Sequence, residues 1–296
     1  MKKFLSALLC AATILLLCGC AAEPPAQIAA TTLPVYEFTQ SLCQGTPLKV
    51  TRLVTEAVSC LHDYSLNVRQ VKAAEAAEVI VISGAGLEDF LDGVLAPEKL
   101  IDASHGIELI IPEEHSHEEE HAHSHHDGHN HNLDPHIWLD PGNAMIMARN
   151  ICTELSGLYP EYKDTFEANL SQLLEQLEAL QLYGEQTLSI LSCREMITFH
   201  DGFSYFADAF DLTILEAIEE ESGSEASAKD LIHLIEEVEH HNLPAVFTEK
   251  NGSPSAAEVI SRETGAVIYP LDMAMSGSSY FDAMYHNIDT IKEALE

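Results

Sequence analysis

The chain has 296 residues, of which 46% are hydrophobic, so it is long and apolar enough to bury one large core or two of ordinary size. This composition excludes a chain that is disordered over most of its length. Asp and Glu number 48 against 14 Lys and Arg, a formal net charge of −34 at pH 7. Such a negative field repels nucleic acid and attracts small cations, so we expect a cationic ligand and no nucleic-acid partner.

The first element is a secretory signal. Two lysines precede an apolar run over residues 4–17, which is too short for a typical membrane-spanning helix. The run ends in Leu-Cys-Gly-Cys, which resembles the lipobox of bacterial lipoproteins and predicts removal of residues 1–19 and lipidation of Cys20. Residues 20–27 then form a tether. We expect an exported protein, lipid-anchored at the outer face of the cytoplasmic membrane or the periplasmic side of a two-membrane envelope; a plain signal or an uncleaved anchor is the alternative.

The first part of the mature chain alternates between strand and helix patterns. Short apolar runs typical of buried strands cover 27–32, 48–54, 79–83 and 107–111. Helical spacing covers 35–42, 68–77, 87–95 and 143–158. The alternation predicts βαβ units with a parallel sheet, which form an N-terminal α/β lobe over residues 28–158.

A single long helix is predicted over residues 159–191, where apolar residues recur at steps of three or four and Gly184 is the weak point. A second α/β series follows over residues 192–296. Its strands are predicted at 195–199, 212–217, 245–248 and 267–270, and its helices at 202–210, 228–240, 255–264 and 279–295. The predicted fold class is therefore α/β, with two lobes of mostly parallel sheet, a long rigid helix joining them and a ligand site in the cleft beyond the strand ends.

The cysteines of the mature region form no C-x-x-C pair, so the sequence supports neither a zinc ribbon nor a redox dithiol. An oxidising compartment permits one or two disulfides but does not require them, and we expect free, buried thiols at Cys43, Cys60, Cys152 and Cys193.

A His-rich acidic loop is predicted over residues 113–131. Eight of the sixteen histidines lie within seventeen residues: His115, His117, His121, His123, His125, His126, His129 and His131. This composition cannot pack a core, and its imidazoles and carboxylates suit weak, exchangeable binding of divalent metals. A solvated insertion without a specific ligand is the alternative. The H-E-x-x-H match at 117–121 lacks the apolar stripe of a catalytic helix, so we attribute it to composition.

Other histidines stand alone near strand ends, where α/β proteins place ligands. His62 follows the apolar run that ends at residue 54, and His200 comes directly after a predicted strand. His136 lies between two Asp-Pro pairs, at 134–135 and 140–141. Asp272 occupies the same kind of position. Three imidazoles and one carboxylate could complete a four-coordinate zinc shell.

Several carboxylates near these positions are candidates for supporting roles. Asp134, Asp140 and Asp201 are candidates to orient the ligand imidazoles. Glu249, which closes a predicted strand, is interpreted as a structural carboxylate or a partner of a ligand.

Four sequence blocks carry a resemblance to a known family. They are His-Asp-Tyr at 62–64 running into Val-Ile-Val-Ile-Ser-Gly-Ala-Gly-Leu-Glu at 79–88, Asp-Pro-His-Ile-Trp-Leu-Asp-Pro at 134–141, Phe-His-Asp-Gly-Phe-Ser-Tyr-Phe at 199–206, and Phe-Thr-Glu at 247–249 leading to Leu-Asp at 271–272. In these blocks the chain resembles the zinc and manganese solute-binding lipoproteins of ABC transporters, known as cluster A-I or the zinc-uptake periplasmic binding family.

The resemblance implies a metal site and a partner. Carried over position by position, the metal ligands fall on His62, His136, His200 and Asp272. Manganese members have a carboxylate where this chain has His200, and imidazole suits Zn²⁺ better than Mn²⁺, so zinc is favoured. The implied function is capture of Zn²⁺ and delivery to the membrane permease of an ABC importer, with no reaction catalysed, and we expect a monomer. The chain lacks the prolines often found after residue 64 and has Met-Ala after Asp272 where Pro-Leu is common.

The sequence leaves three alternative functions open. One is manganese or iron uptake by a member of the same family. A second is a zinc hydrolase, which needs an open coordination position that Asp272 would fill. The third is an adhesin or a metal buffer in which only the His-rich loop matters.

Overall fold

The structure is a computed structural model, which describes residues 26–58, 61, 64–91, 93, 96–111, 133–218 and 227–296. The predicted signal, Cys20, Cys60, His62 and the His-rich loop lie outside these residues. No helix within the described ranges is long and apolar enough to cross a membrane.

The N-terminal lobe contains a four-stranded parallel sheet. Its strands are β1 (Ile28–Ala30), β2 (Val50–Arg52), β3 (Val79–Ile82) and β4 (Leu100–Asp102). They lie in the order β2-β1-β3-β4, and every pair is parallel. The helices that follow in this lobe are α1 (Leu33–Leu42), α2 (Val68–Ala76) and α3 (Pro141–Leu158).

The long helix α4 (Lys163–Leu188) leads to a second four-stranded parallel sheet. Its strands are β5 (Glu195–Thr198), β6 (Thr213–Ala217), β7 (Ala245–Glu249) and β8 (Val267–Leu271), in the order β6-β5-β7-β8. The accompanying helices are α5 (Ser204–Ala209), α6 (Ala228–His241), α7 (Ser255–Thr264) and α8 (Tyr280–Leu295).

Successive strand residues point to opposite faces of a sheet, so each sheet has an inner and an outer face. The inner faces of the two sheets share one central core. Ile28 and Ala30 face this core, together with Met196 and Phe247 of the second sheet and the apolar faces of α1, α3, α4 and α8. The alternate strand residues face outward. Ala29 and Ile80 pack with α2, and Ile197 and Val246 pack with α6 and α7. One helical layer therefore joins the two lobes.

Two predicted elements of the N-terminal lobe are wrong. The segment 107–111 is not a strand, because Ile110 pairs outside the sheet: its N–H donates to the hydroxyl of Tyr205 and its carbonyl accepts from Asp134. The fourth strand is instead Leu100–Asp102, which is too short to show a pattern. The predicted helix over 87–95 is reduced in the described residues to one 3₁₀ turn at Asp89–Leu91, after which Gly93 has a φ of +70°.

The thiols of Cys43, Cys152 and Cys193 are free, and the first two are buried as predicted. Burial raises the pKa of the Cys43 thiol to about 12, so this group is neutral and unreactive at physiological pH.

Gly184 is a contact point of the long helix rather than its weak point. The ring of the buried Phe210 lies so close that a Cβ on Gly184 would come within 2.2 Å of it. Phe210 is held there by Phe206, with ring centroids 4.7 Å apart. The absence of a side chain at Gly184 thus lets the C-terminal lobe pack against the helix backbone.

We predict that Gly184→Ala destabilises the protein, although alanine is the better helix former by about 1 kcal/mol. The added methyl group overpacks the Phe210 contact, at a cost of about 1–3 kcal/mol. Gly157→Ala in α3 is the matched control, because among the described residues nothing outside its own helix backbone lies within 4 Å of the Cβ position, and it should be neutral or stabilising. Urea unfolding measures both, and a Gly184→Ala variant as stable as Gly157→Ala would contradict the packing argument.

Glu88 is a buried carboxyl that closes the loop after β3. It accepts hydrogen bonds from the hydroxyl of Thr31 at 2.6 Å and from the N–H groups of Ser83 at 2.8 Å and Gly84 at 3.0 Å. Burial raises the pKa of Glu88 to about 7, against the opposite effect of these donors. Between pH 4.5 and about 7, Glu88 is therefore protonated in the native protein but ionised in the unfolded chain.

We predict that Glu88 makes the free energy of unfolding fall as pH rises. The raised native pKa keeps a proton that the unfolded chain releases, so the contribution is fully present below pH 4.5 and is lost by about pH 7. The loss is at most about 3 kcal/mol. Glu88→Gln should flatten this part of the profile between pH 5 and pH 7.5 in urea unfolding, whereas the exposed Glu98→Gln should keep it. If Glu88→Gln has the same pH dependence of the free energy of unfolding as the wild type, Glu88 is not its source.

Candidate metal centre

His136 is a buried imidazole held by a carboxylate. Oδ1 of Asp134 accepts both the backbone N–H of His136, at 2.9 Å, and its ring Nδ1, at 2.8 Å. The side chain of Asp134 is 0% exposed and that of His136 is 2% exposed. Because Nδ1 faces a carboxylate, we assign the proton to Nδ1, which leaves the lone pair of Nε2 available to a cation.

The segment around His136 is fixed by the C-terminal lobe. The hydroxyl of Tyr205 donates to the carbonyl of Asp134 at 3.1 Å, and the indole N–H of Trp138 donates to the carbonyl of Met273 at 2.8 Å. The hydroxyl of Tyr280 donates to the carbonyl of Trp138 at 2.8 Å. The imidazole is therefore positioned by residues that lie far away in the sequence.

His200 follows the carboxyl end of β5, and its Nε2 lies 3.3 Å from Nε2 of His136. Its other ring nitrogen, Nδ1, lies 4.0 Å from Oε2 of the buried Glu249. Gly202 leaves room for both rings, because a Cβ there would come within 2.7 Å of His200 and 3.0 Å of His136. The two lobes thus each contribute one imidazole to the same point.

The separation of the two nitrogens has a chemical meaning. Two nitrogens bound to one tetrahedral Zn²⁺ at about 2.0–2.1 Å lie about 3.3–3.4 Å apart. Nε2 of His136 and Nε2 of His200, at 3.3 Å, already have this spacing. The donor pair therefore fits two corners of a zinc tetrahedron.

Asp272 follows β8, and its carboxylate has other partners. Oδ1 accepts the N–H of Ala274 at 2.9 Å, and Oδ2 pairs with Nζ of Lys250 at 3.0 Å. Asn287 fixes its backbone through two hydrogen bonds of 2.7 and 2.8 Å. Within the described ranges no group of three or more His, Cys, Asp or Glu converges as a metal site. The structure brings His136 and His200 together, pairs Asp272 with Lys250, and does not describe His62.

The supporting carboxylates divide into different roles. Asp134 contacts the imidazole of His136, as expected, whereas Asp140 caps α3 by accepting the N–H of Gly142 at 2.6 Å. Glu249 lies beside His200. Sequence reasoning missed Gly202 and Lys250. The signal for the lysine was its position directly after a strand in a chain with few basic residues.

Two lobes of parallel α/β structure that each supply an imidazole at their junction define a two-lobed binding protein. Comparison with known sequences gives the family: the chain matches "Zinc-uptake complex component A periplasmic" over residues 28–294 and belongs to that family.

Similar proteins agree with this membership. The chain is 29% identical to the "Zinc-binding lipoprotein AdcA" of Streptococcus pneumoniae, and the match covers all of this chain and 62% of that protein. It is also 29% identical to a "Putative metal-binding protein" of Treponema pallidum, over 96% of this chain and 94% of that protein. The chain thus spans less than two thirds of the length of AdcA.

Solved structures have the same fold. A crystal structure of ZnuA superimposes with a TM-score of 0.77 at 30% identity, covering 92% of this chain and 100% of that one. A Zn(II)-bound structure of AdcA from Streptococcus pneumoniae has a TM-score of 0.73 at 26% identity, covering 92% of this chain and 58% of that one.

Proposed function

We propose that the protein captures Zn²⁺ outside the cytoplasmic membrane and delivers it to the permease of an ABC importer. The observation that carries this proposal is the 3.3 Å separation of Nε2 in His136 and His200, which matches two ligands of one tetrahedral zinc. The family and the zinc-binding relatives support it. Two imidazoles, one backed by a carboxylate, favour zinc over manganese.

The remaining ligands and the protein's organisation are part of the same proposal. His62 and Asp272 complete the shell, and the protein transports the ion without catalysing a reaction. The His-rich loop over 113–131 collects metal weakly. The functional unit is a monomer with an N-terminal lobe over 28–158, a link over 159–191 and a C-terminal lobe over 192–296, and it is attached to the membrane by a lipid on Cys20 after removal of residues 1–19.

The cleft site can be separated from the loop by zinc competition titrations on protein that starts at Ala21. We expect one tightly bound ion in the intact form and in a form that lacks residues 113–131. His136→Ala should lower the affinity at least about 100-fold, because it removes a ligand and leaves Asp134 facing a cavity. His105→Ala, an exposed histidine, is the control. If tight binding disappears with the loop and ignores His136, a metal buffer becomes the better account.

Asp134 should raise zinc affinity without touching the ion. Asp134→Asn keeps an acceptor for Nδ1 of His136 but loses the negative charge that makes the imidazole a stronger ligand, so we expect zinc binding to weaken about 10- to 100-fold. Asp140→Asn removes the same charge six residues away and keeps a good helix cap, so it should bind zinc as the wild type does. Equal effects of the two substitutions in a competition titration would show a general charge effect instead.

A further inference from the structure

Lys250 lies directly across from Asp272 because of the register of two parallel strands. In β7 and β8, Thr248 pairs with Pro270 and Glu249 with Leu271, and the backbone N–H of Lys250 continues the ladder by donating to the carbonyl of Leu271 at 2.8 Å. The next pair in this register is Lys250 with Asp272. The contact between their side chains is therefore set by the sheet and not by a chance encounter of two surface residues.

The carboxylate and the ammonium group are unequally exposed. The side chain of Asp272 is 13% exposed and that of Lys250 is 57% exposed, so the lysine reaches the carboxylate from the solvent side. Oδ1 is held by the N–H of Ala274, and Oδ2 is the oxygen that meets the ammonium group at 3.0 Å. A divalent cation bound through Oδ2 would take the same place next to the carboxylate.

We propose that Lys250 is an internal competitor of zinc for Asp272. This inference rests on the proposed function, in which Asp272 is a zinc ligand. Zinc bound at the side of Oδ2 that the ammonium group now occupies would compete with it for the same lone pair, and two cations side by side repel each other. Zinc binding therefore requires Lys250 to turn into solvent, where its long side chain remains hydrated.

The competition lowers the affinity for zinc and prepares its release. When the ion leaves, the ammonium group returns to Oδ2, so the largely buried carboxylate is not left as an uncompensated charge. Every divalent cation that binds Oδ2 has to displace the lysine at the same cost. Lys250 thus lowers the affinity of the site modestly, although it never touches the ion.

The test is a double-mutant cycle on zinc affinity, with Lys250→Met, Asp272→Asn and the double variant, measured by chelator competition. Lys250→Met should bind zinc roughly three- to fivefold more tightly, the upper part of the range expected for loss of a mostly exposed ion pair. Lys250→Arg keeps the competing charge and should bind as the wild type does. In the Asp272→Asn background the effect of Lys250→Met should fall below about twofold.

Lys163→Met is the matched control. Lys163 is also 57% exposed and pairs with a carboxylate, Glu167, at 3.7 Å, so its removal changes the net charge equally. Wild-type affinity in Lys250→Met, or equal tightening in the presence and absence of the Asp272 carboxylate, would overturn the inference. Neither result touches the proposed function, which fails separately if His136→Ala retains wild-type affinity in the same assay.

Discussion

The indole of Trp138 is fully buried, and its N–H donates to the carbonyl of Met273 in the other lobe. A buried donor that loses its partner costs about 1–3 kcal/mol, so this bond favours one relative position of the two lobes. His136 lies two residues before the indole, and Asp272 lies one residue before the acceptor. This contact, with the hydrogen bonds of Tyr205 and Tyr280, therefore places the imidazole of His136 near the loop that carries Asp272.

The fold could be predicted where hydrophobic periodicity was strong. The long helix, the helix Ser255–Thr264 and the strands of the second sheet follow their apolar patterns to within a few residues. The failures occurred where tertiary contacts override local pattern. The apolar segment 107–111 forms hydrogen bonds with Tyr205 and Asp134, which lie in other segments. The strand Leu100–Asp102 has three residues, of which only Ile101 is buried, so it shows no pattern. Local sequence contains neither kind of information.

The site was predictable in its residue types but not in its partnerships. The sequence identified His136 and His200 as candidate ligands, and their Nε2 atoms lie 3.3 Å apart. It also suggested Asp134 as a carboxylate that orients an imidazole. What the sequence could not give is the pairing of Asp272 with Lys250, since that depends on the register of two strands that are about twenty residues apart. Whether Asp272 and His62 ligate the ion stays a prediction.

The glycine contact on the long helix has a mechanical consequence. The helix is clasped near its start, where Asn169 donates to the carbonyls of Leu42 and Gln44 at 2.8 Å, and near its end, where Phe210 lies against Gly184. A swing of one lobe relative to the other would have to break the attachment of that lobe or bend the helix. We therefore expect a stiff frame whose radius of gyration hardly changes between loaded and empty forms. If the proposed function holds, release of the ion would then involve the strand-end loops, whose motions take nanoseconds to microseconds and are faster than those of domain hinges.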